Sequence, residues 1–162
     1  MSYLDKSLKQ IHEALKSGEI TSKELVEESL KRANENQQEL NSFVTIIDDA
    51  KEAEINDSIL SGIPYAAKDN LSTKNILTTA SSNILSNYVP VFDATCIEKL
   101  KEKNAVLIGK TVMDELGMGG SGTTGHTGIV RNPWDTTRMT AGSSAGSAAA
   151  VTKGIVPYAL GS

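Results

Sequence analysis

Apolar residues in the first part of the chain recur at helical spacing. Leu4, Leu8, Ile11 and Leu15 stand four, three and four residues apart, which predicts an amphipathic helix over residues 4–16 with one buried stripe, ended by Ser17-Gly18. Thr21 followed by Glu24 is a capping box, and Leu25, Val26 and Leu30 carry a second apolar face to about residue 36. The period then changes. Phe43-Val44-Thr45-Ile46-Ile47 is short and rich in β-branched residues, a strand pattern, and residues 48–57 predict another helix. Residues 94–103 read as a helix with Ile97 and Leu100 inward. Ala105-Val106-Leu107-Ile108 is a continuous apolar run, the mark of a strand buried on both faces. A short helix is expected over 111–116, a longer one over about 144–153 and a last strand over 155–160. Helix followed by doubly buried strand indicates α/β layering with parallel pairing.

Composition narrows the class. The 162 residues are 39% apolar and 22% charged, an ordinary make-up for a soluble domain with a core, and there are no internal repeats. A net charge of -4 argues against a dominant basic surface for nucleic acid, so any RNA partner would need contacts from another chain. The single cysteine, Cys96, excludes an internal disulfide and a multi-thiolate metal site. It suits a reducing compartment. No apolar run reaches membrane-spanning length and the first residues lack a signal-peptide core, so the expected location is cytoplasmic, with no membrane partner.

Two stretches carry candidate chemistry. From Gly117 to Ser147, eight Gly and ten Ser or Thr make up 18 of 31 residues. Ile129, Val130, Pro133, Trp134 and Met139 interrupt the run, which excludes a flexible linker and leaves a rigid loop system whose backbone comes close to a ligand. Its last part, Gly142-Ser143-Ser144-Ala145-Gly146-Ser147, enters a helix and offers free N–H groups and hydroxyls at a positive helix end. The second stretch, Gly62-Ile63-Pro64-Tyr65-Ala66-Ala67-Lys68-Asp69-Asn70, puts a lysine at the end of an apolar segment. That lysine either snorkels to solvent or pairs with Asp69, or it is desolvated and acts as a base.

Three other patterns fail on their own terms. Gly109-Lys110-Thr111 resembles the end of a phosphate-binding loop, but position 104 is Asn where the motif needs Gly. Gly117, Gly119 and Gly122 spell a dinucleotide fingerprint but do not directly follow a strand. His126 lacks the G-x-S-x-G elbow that a histidine-based triad would accompany, and His12, beside the first apolar stripe, reads as structural. What remains is Lys68 with the Ser143-Ser144 pair. A neutral lysine can deprotonate a serine directly or through a second serine, which gives acyl transfer without histidine or metal.

Four ordered blocks carry a resemblance: residues 62–70, Asn132-Pro133-Trp134-Asp135, residues 142–151 and Leu160-Gly161-Ser162. Together they resemble the amidase signature family, and within it the ammonia-producing A subunits of tRNA-dependent amidotransferases. The opening helices, with Ser22-Lys23-Glu24-Leu25-Val26 and Ser42-Phe43-Val44-Thr45, are also similar to those subunits. The resemblance implies an α/β fold with a mixed sheet covered by helices. It implies Lys68 as catalytic base, Ser143 as the bridging serine in a cis peptide, Gly142 and Ser144 as the supporting turn, and Met118-Gly119 as part of the acyl pocket. It further implies glutamine as ammonia source, two partners in the form of a B subunit with a small C subunit, and aminoacyl-tRNA, Glu-tRNA(Gln) or Asp-tRNA(Asn), bound mainly by the partner. No cofactor is implied in this chain; ATP with Mg serves the complex. Free-standing hydrolysis of small amides, or a non-catalytic binding fragment, are the alternatives.

The sequence also departs from the family pattern. Gly120-Ser121-Gly122-Thr123-Thr124 differs from the expected polar loop, and Ala141 and Ala145 stand where the family has Gly. The family's nucleophilic serine lies in an Asp-Thr-Gly-Gly-Ser-like stretch after Leu-Gly-Ser, and no such stretch occurs in residues 1–162. The expectation is therefore the N-terminal part of one amidase-signature domain, truncated before the nucleophile and without amidase turnover on its own.

Overall fold

The computed structural model describes residues 2–162. Its centre is a four-stranded mixed sheet made of β1 (Phe43–Ile46), β2 (Pro64–Lys68), β3 (Val106–Thr111) and β6 (Ala159–Leu160). Across the sheet the order is β1-β3-β2-β6. β2 runs parallel to both β3 and β6, while β1 is antiparallel to β3. Helices cover both faces, as the expected α/β layering requires. On one face Val26 and Ala33 of α2 (Ser22–Leu40) and Ala150 of α4 (Ala145–Thr152) meet Phe43, Ala66, Val106 and Ile108. On the other, Ile97 and Leu100 of α3 (Thr95–Glu102) pack on Tyr65 and Ala67. Both faces of β2 are buried along its whole length, which is why its sequence shows no polar alternation until Lys68.

The opening apolar stripe is real, but it is divided between two elements. Ser7 caps α1 (Leu8–Ser17), its side chain accepting from Gln10 N while the Gln10 side chain returns to the Ser7 backbone. Residues Tyr3–Asp5 form a separate 3-10 turn capped by Ser2. Leu4 still joins Ile11, Leu15 and Leu25 in one cluster. The Thr21–Glu24 capping box is present, and α2 continues to Leu40, ended by Asn41 in the left-handed conformation.

Three predicted elements are corrected. Residues 48–57 are not helical. Ala53 N donates to Ser22 Oγ, Asn56 N to Ser61 Oγ, and the Glu54 carbonyl accepts from Ser61 Oγ and Asn104 Nδ2. Side chains from elsewhere thus satisfy the backbone that a helix would have satisfied internally. Residues 111–116 are not a helix either: Thr111 closes β3, and only Glu115–Gly117 make a 3-10 turn. Here the chain is held by bonds to separate segments, Val112 N to Ser42 O, Met113 N to Ser81 Oγ and Asp114 N to Ser143 O. The last strand shrinks from 155–160 to Ala159–Leu160, because Ile155 N bonds back to Ala150 O at the end of α4 and Pro157 has no N–H to offer. A hairpin that periodicity did not predict, β4 (Arg131–Asn132) with β5 (Asp135–Met139), is built on the Asn132-Pro133-Trp134-Asp135 block.

One irregularity decides what faces the site. Between Tyr65 and Ala66 the β2–β3 register skips a residue, so Leu107 aligns with Tyr65 but Gly109 with Ala66. The extra residue in β3 reverses its alternation. Lys110 therefore aligns with Ala67 and Thr111 with Lys68.

Candidate active site

Lys68 ends β2 with its side chain on the α4 side and no exposure to solvent. Its Nζ lies 2.6 Å from Ser143 Oγ, 2.9 Å from Ser162 Oγ and 3.3 Å from Ser162 O. Burial lowers its pKa from the ordinary lysine value, and the negative charge of Asp114 opposes that shift. Of the readings of Lys68 open from sequence, solvent exposure and pairing with Asp69 are both excluded. Asp69 is the next residue along an extended chain and points to the opposite face.

There Asp69 has its own partners. Its Oδ2 accepts from Thr79 N at 3.0 Å, Ser81 N at 3.2 Å and the Thr79 hydroxyl, while Oδ1 faces Lys110 Nζ at 3.8 Å. Lys110 is wholly buried and donates to Leu71 O and Thr78 Oγ1, each at 2.8 Å. Burial brings its pKa down to about 8 against the pull of Asp69. The Gly109-Lys110-Thr111 triplet thus serves the interior beneath the site.

The Ser143 side of the pair comes from the entry to α4. The Gly142–Ser143 peptide is cis, and the Ser143 carbonyl accepts from Asp114 N at 3.0 Å. A side chain at Gly142 would put its Cβ 2.2 Å from Asp114 Oδ2, so only glycine fits. Ser144 is the N-cap of α4, and its Oγ accepts from Ser162 N at 3.1 Å and donates to Ser162 O at 3.2 Å. One turn on, Ser147 Oγ donates to Leu160 O at 2.8 Å and lies 2.7 Å from Thr111 Oγ1. The start of α4 therefore grips β6, and that grip sets Ser162 against Lys68. A shallow hollow opens here, walled by Thr140, Gly142, Ser143, Ser144 and Ser162.

Met118 and Gly119 stand apart from this hollow's walls. Met118 is 83% exposed, and Gly119 packs over the Asp114 carboxylate, where a Cβ would come within 2.6 Å of Cγ. His126 is exposed and reaches the neighbourhood only through its backbone N–H to Ser81 O. Sequence reasoning missed Asp114, Ser162, Asp69 and Lys110 as site-building residues. For Asp114 a signal existed, an acidic residue directly after Val112-Met113 and ahead of the Gly-rich run. Among the described residues, no cluster of metal-ligating side chains occurs and no helix is long and apolar enough to cross a membrane.

Known proteins share both the sequence and the fold. The Amidase family profile matches residues 24–162. The chain belongs to the amidase family. It is 48% identical to the A subunit of glutamyl-tRNA(Gln) amidotransferase from Oenococcus oeni, over 99% of this chain and 35% of that protein. To the protein of the same name from Lactobacillus gasseri it is 47% identical, over 100% and 34%. Among solved structures, this amidase-family chain matches the A subunit of glutamyl-tRNA(Gln) amidotransferase from Thermotoga maritima with a TM-score of 0.88 and 34% identity, over 99% of this chain and 34% of that one. It matches 6-aminohexanoate cyclic dimer hydrolase with a TM-score of 0.91 and 28% identity, over 98% and 34%. The chain spans about a third of the length of the relatives it matches.

Proposed function

We propose that this chain supplies the base and the bridging serine of a glutamine-hydrolysing amidase centre, in the ammonia-producing subunit of a tRNA-dependent amidotransferase. The observation that carries the reading is the 2.6 Å contact between the solvent-free Lys68 amine and Ser143 Oγ. The relatives' names supply the amidotransferase acting on glutamyl-tRNA(Gln), and glutamine as the ammonia source is what the family resemblance implies. Burial favours the neutral amine. A neutral Lys68 takes the proton of the Ser143 hydroxyl, and Ser143 takes that of a nucleophilic serine attacking the glutamine side-chain amide. The proton returns along the same path to the departing nitrogen, ammonia leaves, and water clears the acyl ester. The nucleophile is not among residues 1–162 in this reading, and the 162-residue chain alone is expected to release no ammonia from glutamine. Released ammonia would pass to the B subunit, held with the small C subunit, where Glu-tRNA(Gln) or Asp-tRNA(Asn) activated by ATP with Mg is amidated.

The test is a chimera in which residues 1–162 replace the matched third of the Oenococcus oeni protein, assembled with its partners. Glutamine-dependent ammonia release that falls about 100-fold or more in Lys68→Ala and in Ser143→Ala supports the reading. Undiminished turnover in either variant overturns it. A free-standing amidase is the second reading, favoured by the TM-score of 0.91 to an amide hydrolase. Hydrolysis of simple amides by the chimera without partners, and no stimulation by them, would select it.

A further inference from the structure

Asp114 lies three residues beyond β3 and is completely buried, yet the proton path does not use it. Its carboxylate is enclosed by hydrogen-bond donors from a single loop. Oδ1 accepts from Gly122 N at 3.0 Å, Thr123 N at 3.1 Å, Thr124 N at 3.3 Å and Thr124 Oγ1 at 3.0 Å. Oδ2 accepts from Ser121 N at 3.1 Å and Gly122 N at 3.0 Å. The residue's own N–H holds the Ser143 carbonyl. Gly119 and Gly142 press on the carboxylate so closely that neither could carry a side chain, and Gly122 packs on Ala145 at the start of α4. Burial alone would push this carboxyl up, but the bonds from Gly122, Thr124 and Thr123 hold it below the usual carboxylate range, so it stays an anion.

We propose that Asp114 is a positioning residue for the Lys68–Ser143 pair. Through its side chain and its N–H it ties loop 121–124 and the Gly142-Ser143 peptide into one unit, and it keeps a fixed negative charge beside the lysine. The proposal rests on Lys68 being the base. Asp69 and Lys110 lie on the other face of β2 and face each other, which leaves Asp114 as the charge acting on Lys68. Without that charge, desolvation would strip the lysine of its proton at lower pH. Without the tie, the Ser143 carbonyl would lose its donor and the hydroxyl its fixed distance from Nζ.

The experiment uses the chimera that carries residues 1–162, in which the Ser162 carbonyl beside Lys68 is a neutral amide, labelled with 15N at lysine Nζ, the Lys68 signal being identified by its loss in Lys68→Arg. With Asp114 intact, Lys68 should titrate below the ordinary lysine midpoint of about 10.4. In Asp114→Asn the midpoint should fall further, by about one pH unit, the scale of losing a nearby opposite charge. A merely structural Asp114 would lower stability and leave that midpoint where it was, and this result would overturn the proposal. A second variant keeps the test open if Asp114→Asn does not fold. Thr124→Val removes one donor from the carboxylate, and hydrogen exchange of the Gly122 and Asp114 amides should then accelerate together by about tenfold. Acceleration at Gly122 alone would refute the tie. A native Lys68 titrating at the ordinary value would remove the base reading itself, independently of what Asp114 does.

Discussion

Gly146 is the position where two physical effects predict opposite signs, and the structure decides between them. It lies in the first turn of α4, where replacing Gly by Ala raises helix propensity by about 1 kcal/mol. On that ground alone Gly146→Ala would stabilise. The tertiary contacts oppose it. A Cβ at Gly146 would lie 2.2 Å from Ser42 O, 2.6 Å from Val112 N and 2.7 Å from Val112 O. All three are backbone atoms, so no side chain can rotate away. Relief requires α4 to move off the strand ends, which stretches the bonds from Gly146 N to Val112 O (2.8 Å) and from Val112 N to Ser42 O (2.9 Å). Overpacking costs about 1–3 kcal/mol, and two weakened hydrogen bonds add about 1 kcal/mol each. Set against the propensity gain, the net is about 2–4 kcal/mol of destabilisation, or a melting midpoint lower by roughly 10 °C in a domain of this size. Urea and thermal unfolding of the native chain and Gly146→Ala measure it. Gly120→Ala is the control, since nothing lies within 4 Å of a Cβ there. Unchanged or raised stability in Gly146→Ala would refute the claim that backbone contact, rather than helix propensity, dictates glycine at this junction.

Three further outcomes follow from the interior. Lys110→Met should cost about 3 kcal/mol, because it leaves Asp69 buried with only its Thr79 and Ser81 donors; equal unfolding midpoints would contradict this. The same lysine sets a pH dependence. Its pKa is about 8 folded and about 10.4 unfolded, so between those values the unfolded chain binds more protons and stability rises with pH, by roughly 3 kcal/mol in all. Below pH 8 both states are protonated and the contribution is flat; in Lys110→Met the rise measured by denaturant titrations across that window should shrink by about 3 kcal/mol, leaving the part due to Lys68, whose pKa is also lowered by burial. Tyr65 stacks on Tyr158 at 5.5 Å, but its buried hydroxyl has no partner among the described residues. Tyr65→Phe keeps the stack and should raise stability by about 1 kcal/mol, a gain that calorimetry would detect or exclude.

The legible part of this protein is what local pattern encodes. The Thr21–Glu24 capping box, the inward Ile97 and Leu100, and the doubly buried β3 needed only spacing and composition to be read, because each is stabilised by neighbours in sequence or by plain burial. Residues 48–57 and 111–116 were misread for the converse reason. Their composition permits helix, but their backbone groups bond to Ser22, Ser61, Asn104, Ser42, Ser81 and Ser143, partners that exist only once the chain has folded.

The candidate site divides along the same line. Sequence by itself determined that a lysine ends an apolar strand and that a Gly- and Ser-rich turn opens a helix, and ordered blocks of residues tied both to one family. It could not determine which way that lysine faces. Only the tertiary structure decided that Lys68 meets Ser143 rather than Asp69, and that Lys110 joins Asp69 on the other face. For Lys110 the physical reason is register, because one extra residue in β3 reverses its alternation and places it beside Ala67 on the Asp69 side; for Lys68 it is that the entry to α4 folds over the other face and brings Ser143 to it. Asp114 also owes its role to folding, because amides distributed along loop 121–124 become a cage only when the loop closes around a buried carboxylate.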